Sequence, residues 1–179
     1  MRKATGWLTL ALRRFPHPTI AAVNGVATGA GLSLALGCDI RVAAKSAKFS
    51  AIFVRRAIVP DYGCTYLLPK IVGMARALEL MYTGNIIDAE TALSIGLISR
   101  IVPDNAIMTR SFDLAKSIAM GPPITIELIK KTAYLSEENT LDNQMLLENH
   151  ANSIVFRTED YKEGVQSFLD KREPLFRGV

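Results

Sequence analysis

The stretch VNGVATGAGLSLALGCDIRVAA, Val23 to Ala44, joins a β-branched run to an apolar run through three glycines and holds no lysine, histidine or carboxylate before Asp39. Just before and into it, TIAAV (Thr19 to Val23) reads as a short buried strand ending on the Asn24-Gly25 turn signal. Gly29 to Leu36 is expected to form a short apolar helix, and DIRVAA, from Asp39, a second strand. A half-exposed strand would alternate apolar and polar residues. Continuous apolar runs in strand, helix, strand order instead specify a parallel sheet covered on both faces. LISRIV, Leu97 to Val102, supplies a third strand. Three short strands are few for a stable sheet.

Composition narrows the class. With 179 residues, 49% of them hydrophobic, the chain can bury a sizeable core. Its net charge of +4 is spread over scattered basic residues. No stripe suited to nucleic acid results, whereas an anionic small ligand is accommodated. Cys38 and Cys64 lack metal-ligand spacing and suggest no disulfide framework, which points to a reducing compartment. No run reaches the roughly 18 unbroken apolar residues of a membrane span, so no membrane partner is expected.

Helices are expected elsewhere. Ala4 to Phe15, with apolar Trp7, Leu8, Leu10, Ala11 and Leu12, reads as a helix stopped by FPHP. GCTYLLPKIVGMARALELMYTG reads as two helices broken near Gly73 and closed by Gly84. DAETALSIG is a short helix with Asp88 as N-cap and Gly96 just past its end. Further helices are expected at Asp104 to Met120, Pro122 to Leu135, Leu141 to Val155 and Thr158 to Asp170. The division this suggests is an α/β core over 1–115 and a helical region over 116–179.

Reactive side chains are scarce. His17 and His150 stand far apart in unlike contexts, so neither a histidine-centred triad nor a metal site is expected. There is no phosphate loop, and Leu34 stands where a dinucleotide fingerprint needs its third glycine. The backbone is the remaining candidate. The first amides of a helix lack intrahelical acceptors and lie at the positive end of its dipole. If Gly29 and Gly31 allow close packing, the Ala30 N–H can face a pocket as half of an oxyanion hole. Small residues serving only tight helix–strand packing would look the same. Asp61 is the promising carboxylate, set among Ile58, Val59, Pro60 and Tyr62, which would desolvate it. Equally, an aspartate before Gly-Cys-Thr is a good N-cap.

HPTIAAVNGVATGAGLSLALGCDIRVAAKSAKFS and VPDYGCTYLLPKIVGMARALELMYTGNIIDAETALSIGLISRIVP together resemble the crotonase, or enoyl-CoA hydratase/isomerase, superfamily. The resemblance implies an α/β fold with a ββα spiral core, here partial because its first half should precede residue 1, and a C-terminal helical trimerisation region. It also implies an acyl-CoA thioester substrate, with coenzyme A as part of that substrate, and no other cofactor or metal. The Ala30 amide would be the second oxyanion donor, the first belonging to the preceding segment. The two hydratase glutamates would fall at Ser33 and Phe53, and a phenylalanine can neither hold nor deprotonate water, which disfavours ordinary hydratase chemistry. Ser33 then reads as a helix hydroxyl bonded to the turn before it.

Isomerase-like members carry a catalytic aspartate at the position of Asp61, so the implied reaction is a 1,3 proton shift on an enoyl-CoA in fatty-acid or aromatic-acid degradation. Gly29, Gly31, Phe53, Ile58 and Tyr62 would line the substrate pocket. Phe168 and Lys171 would help hold the CoA nucleotide, although Phe168 as core and Lys171 as a solvated charge fit as well. Met145, Leu146, Ile154, Val155 and Phe156 suit packing against another subunit, and a homo-trimer or hexamer is implied. The alternatives are a hydratase or other crotonase-type reaction, and a non-catalytic acyl-CoA-binding or assembly subunit. The expected location is cytoplasmic, or mitochondrial if a preceding segment carries a transit peptide.

Overall fold

The structure is a computed structural model that describes residues 6–179. These fall into two compact units. The first holds the chain up to Phe15 together with Thr19–Asp113, and the second holds Pro16–Pro18 and Leu114–Val179. The expected helix start at Ala4 lies outside the described residues.

In the first unit the chain runs through α1 (Trp7–Arg14), β1 (Ile20–Val23), β2 (Val26–Thr28), α2 (Ala30–Gly37), β3 (Ile40–Ala44) and β4 (Lys48–Ser50). A 3₁₀ turn (Ile52–Arg56) follows, then α3 (Cys64–Val72), α4 (Met74–Thr83), β5 (Ile87–Asp88), α5 (Ala89–Ser94) and β6 (Arg100–Val102). The three expected strands form one sheet in the order β1-β3-β6, all parallel, with Ile20 opposite Ile40 and Val42 opposite Arg100. A second sheet, β2-β4-β5, was not expected. Its strands are only two or three residues long, too short to show any alternation, and they carry Ala27, Lys48, Ser50 and Asp88. Ala27 pairs with Phe49 in parallel and Phe49 with Ile87 antiparallel, so the sheet depends on partners distant in sequence.

Burial follows the apolar runs. Val42, Ala43 and Ala44 on β3 are fully buried, and Leu32 and Leu36 on α2 pack in the same core as Phe49 and Leu68. Because α2 is apolar almost all round, it sits in the interior rather than on a wet face. Gly37 lets α1 approach it. A Cβ there would stand 3.0 Å from Thr9 Cγ2 and 3.6 Å from Leu12 Cδ1. The apolar residues expected to anchor α1 do not all do so: Trp7, Leu8 and Leu10 are exposed, and the residue that goes inside is polar Thr9. The helix breaks fall where expected, Gly73 and Gly84 both having positive φ. Asp88 caps α5 by accepting from the Thr91 N–H at 2.9 Å.

After β6 the expected helix at Asp104 opens as a 3₁₀ turn (Asp104–Ala106) and becomes α6 only over Ile107–Ala119. The second unit carries α7 (Pro123–Leu135), α8 (Leu141–Val155) and α9 (Glu159–Asp170). Thr140 and Thr158 cap α8 and α9 through their hydroxyls. The segment after α9 folds back on it. Glu163 accepts two bonds from the Arg172 guanidinium and one from the Leu175 N–H, which holds its carboxyl down at about 2. Asp160 accepts from the Arg177 and Gly178 amides. No described helix is long and apolar enough to cross a membrane.

Candidate active site

The turn between β2 and α2 is held by its backbone. Gly29 adopts φ +55 and ψ −124, a conformation open to glycine and strained for any residue with a Cβ. Its N–H donates to Ser50 O at 3.0 Å. Its carbonyl accepts from the Ser33 N–H at 3.0 Å and from Ser33 Oγ at 3.2 Å. The peptide group is planar and trans, so anchoring the Gly29 carbonyl directs the Ala30 N–H the opposite way. Ala30 is the first residue of α2 and has no intrahelical acceptor for that N–H. The buried Phe53 ring comes within 3.9 Å of where a Gly29 Cβ would stand, so Phe53 packs on this turn. Gly31 differs from expectation. It is exposed, with no atom within 4 Å of where its Cβ would stand, and so serves no close approach in this chain.

Asp61 stands on a second unusual turn. Tyr62 at φ +52 and Gly63 at φ +80 are both left-handed. The Asp61 carbonyl accepts from the Cys64 N–H at 3.1 Å, and the Tyr62 carbonyl accepts from Thr9 Oγ1 at 2.9 Å. Asp61 does not cap α3. The N-cap is Gly63, which has no side chain to offer the freed amides. Instead Asp61 Oδ1 is buried without a hydrogen-bond partner. An unpartnered buried polar atom typically costs about 1–3 kcal/mol, and its presence calls for an explanation, of which a role in proton transfer is one. The expected shielding by Ile58 and Val59 is not seen, since these side chains are 54% and 76% exposed. Asp61 and Tyr62 are half-buried.

Ser33 and Cys64 lie between these two turns. Burial pushes the Cys64 thiol up to about 11, with a hydrogen bond shared with Ser33 opposing the rise and the charge of Asp61 adding to it. Ser33, which acts on the Cys64 thiol, is itself bonded to the carbonyl of the Gly29–Ala30 peptide. A pH dependence follows. Below the ordinary thiol value of 9.0 the group is neutral in folded and unfolded chains alike, and its contribution is complete. As pH rises from there through about 11, the unfolded chain ionises first and stability is lost. The loss should approach about 2–3 kcal/mol, read as a lower urea midpoint at high pH, and Cys64→Ala should remove that part of the dependence.

Phe168 and Lys171 belong to the second unit, apart in the chain from the residues above. Phe168 is not core. It is 82% exposed and lines an apolar groove of about 510 Å³ with Tyr161, Val165, Leu169 and Phe176. Lys171 is exposed and ends α9 in a left-handed conformation. Met145, Leu146, Ile154 and Phe156 are exposed. Among the described residues no cluster of His, Cys, Asp and Glu is placed to hold a metal. Two contributors went unnoticed in the sequence, Thr9 and Cys64. Thr9 is the lone hydroxyl in an apolar helical run, and Cys64 follows Asp61 by three residues.

The chain is similar to known proteins along its whole length. The family described as "Enoyl-CoA hydratase/isomerase" matches residues 1–179. The 1,2-epoxyphenylacetyl-CoA isomerase of Escherichia coli (strain K12) is 45% identical over 167 residues, which are 93% of this chain and 64% of that protein. Enoyl-CoA hydratase AFT3-1 of Alternaria alternata is 40% identical over 98% of this chain and 60% of its own length. The chain therefore spans less than two thirds of these relatives. The crystal structure of enoyl-CoA hydratase from Bacillus anthracis is similar with a TM-score of 0.93 at 36% identity, covering 96% of this chain and 66% of that one.

Proposed function

Because the chain belongs to the enoyl-CoA hydratase/isomerase family, we propose that it takes an acyl-CoA thioester and moves a double bond by a 1,3 proton shift. Asp61 removes a proton from C2 of a 3-enoyl thioester, and the electron pair spreads onto the thioester oxygen. The Ala30 N–H stabilises that enolate oxygen. The same carboxyl returns the proton to C4 as the double bond settles between C2 and C3, so one acid/base suffices.

The observation that carries this reading is the buried, unpartnered Asp61 Oδ1, a proton acceptor left without a structural bond. Ser33 and Phe53 support it from the other side. They offer a hydroxyl committed to the Gly29 carbonyl and a hydrocarbon ring where a hydratase would need two carboxylates. The similarity to a CoA-thioester isomerase is in keeping with it. The reading needs no group beyond the coenzyme A of the substrate. It places the chain in fatty-acid or aromatic-acid degradation, and takes the exposed apolar residues of α8 as contacts in a homo-trimer or hexamer.

Product analysis tests the reaction. Given 3-enoyl-CoA in water, the chain is expected to yield 2-enoyl-CoA. Given 2-enoyl-CoA, it is expected to form no 3-hydroxyacyl product. Accumulation of that product would replace the isomerase reading with a hydratase one, and a thermal shift by acyl-CoA without turnover would favour a binding subunit.

A further inference from the structure

The turn that aims Asp61 is held in a backbone conformation that Tyr62 disfavours. Tyr62 has a Cβ and yet sits at φ +52, followed by Gly63 at φ +80. A bulky residue in the left-handed region is a strained outlier, and such strain persists only where the surroundings over-determine it. The surroundings here include a residue 53 positions earlier in the chain. Thr9 is buried, and its Oγ1 donates to the Tyr62 carbonyl at 2.9 Å. Its methyl, Cγ2, lies 3.7 Å from where a Cβ on Gly63 would stand and 3.0 Å from the same point on Gly37. One side chain of α1 therefore touches both α2 and the Asp61 turn. With the Asp61 carbonyl bonded to the Cys64 N–H, two successive carbonyls are anchored, and the adjacent carboxylate keeps one oxygen buried and unbonded.

We propose that Thr9 is a positioning residue, whose hydroxyl holds the strained Tyr62–Gly63 turn and through it the aim of the Asp61 carboxylate. The inference rests on Asp61 as the proton carrier. Thr9 touches no reacting atom; it acts through the backbone of residue 62. Its hydroxyl compensates for a tyrosine where glycine would need no help.

Thr9→Val keeps the shape and removes the hydroxyl. It is expected to lower kcat about tenfold with KM unchanged, as a small misplacement of a catalytic group does. Hydrogen exchange at the Cys64 N–H, which reports the turn without reference to activity, should accelerate about tenfold. Thr9→Ser should keep both near wild type. In a Tyr62→Gly background, where the left-handed backbone carries no Cβ penalty, Thr9→Val is expected to cost less than about twofold.

A folded Thr9→Val variant with wild-type kcat overturns the proposal, as does a loss of equal size in the Tyr62→Gly background. If Thr9→Val does not fold, Thr9→Ser decides: retained kcat supports the role of the hydroxyl, and a tenfold loss overturns it. Asp61→Asn separates the two layers. Wild-type turnover in that variant removes the base assignment and with it the aim that Thr9 is proposed to serve, while Cys64 exchange still reports whether Thr9 holds the turn.

Discussion

Asp61→Asn is expected to lower kcat for the 3-enoyl to 2-enoyl shift by about 10²- to 10⁴-fold with KM little changed, the range for losing a general acid/base. Asparagine matches aspartate in shape but cannot take up the proton. The substitution should leave the fold intact, because Asp61 Oδ1 has no hydrogen bond to lose and the side chain does not cap α3. The thermal midpoint of the variant is therefore expected to equal or exceed that of wild type, as happens where a costly buried group is kept for activity. Single-turnover kinetics beside a melting curve checks both halves. Turnover at the wild-type rate would remove Asp61 from the mechanism. A collapse of stability would instead mean that the carboxylate has a structural bond.

Gly29→Ala should be nearly as damaging to rate, for a different reason. Space is not the obstacle, since the nearest side-chain atoms to a new Cβ, from Ile52 and Phe53, would lie at 3.8 and 3.9 Å. The obstacle is the backbone at φ +55 and ψ −124. Keeping it would cost about 1–3 kcal/mol of stability. Relaxing it would rotate the Gly29–Ala30 peptide and turn the Ala30 N–H away from the position proposed for the enolate oxygen, a loss of about 10²–10³ in rate for one oxyanion donor. Gly31→Ala is the matched control. That position has open space and lies within α2, so alanine should fold as well as wild type or gain about 0.5–1 kcal/mol. Urea unfolding and turnover of the two variants, measured together, separate backbone conformation from mere glycine content.

Much of the first unit was legible in the chain. The apolar runs that became β1 and β3 show no alternation, and in β3 the consecutive residues Val42, Ala43 and Ala44 are all buried, as a strand covered on both faces requires. The breaks at Gly73 and Gly84 and the cap at Asp88 are local signals that read correctly because the glycine conformations and the Asp88–Thr91 bond involve neighbours in sequence. The second sheet was not legible. Strands of two or three residues leave no periodicity, and their pairing of residues 27, 49 and 87 is decided across the fold.

The candidate site divides in the same way. Ser33 bonds back to Gly29 four residues earlier, a short-range contact that its place in an apolar helix made readable. Ile58 and Val59 looked like a shield around Asp61, yet adjacency in sequence on a loop does not set which way a side chain turns, and both face outward. The left-handed Tyr62 had no sequence signal at all, because tyrosine is among the residues least expected there.

By itself, then, the sequence determined the parallel strand, helix, strand core, the glycine turn ahead of α2, and the isolation of Asp61 as a carboxylate with no histidine partner nearby in the chain. These are properties of neighbouring residues, and neighbouring residues are what a sequence displays. Only the tertiary structure decided that Asp61 keeps an unbonded oxygen, that the Cys64 thiol is buried beside Ser33, and that Thr9 reaches the Tyr62 carbonyl. Each of these depends on packing between segments separated by up to 53 residues, and that proximity exists only once the core has brought α1, α2 and the Asp61 turn together.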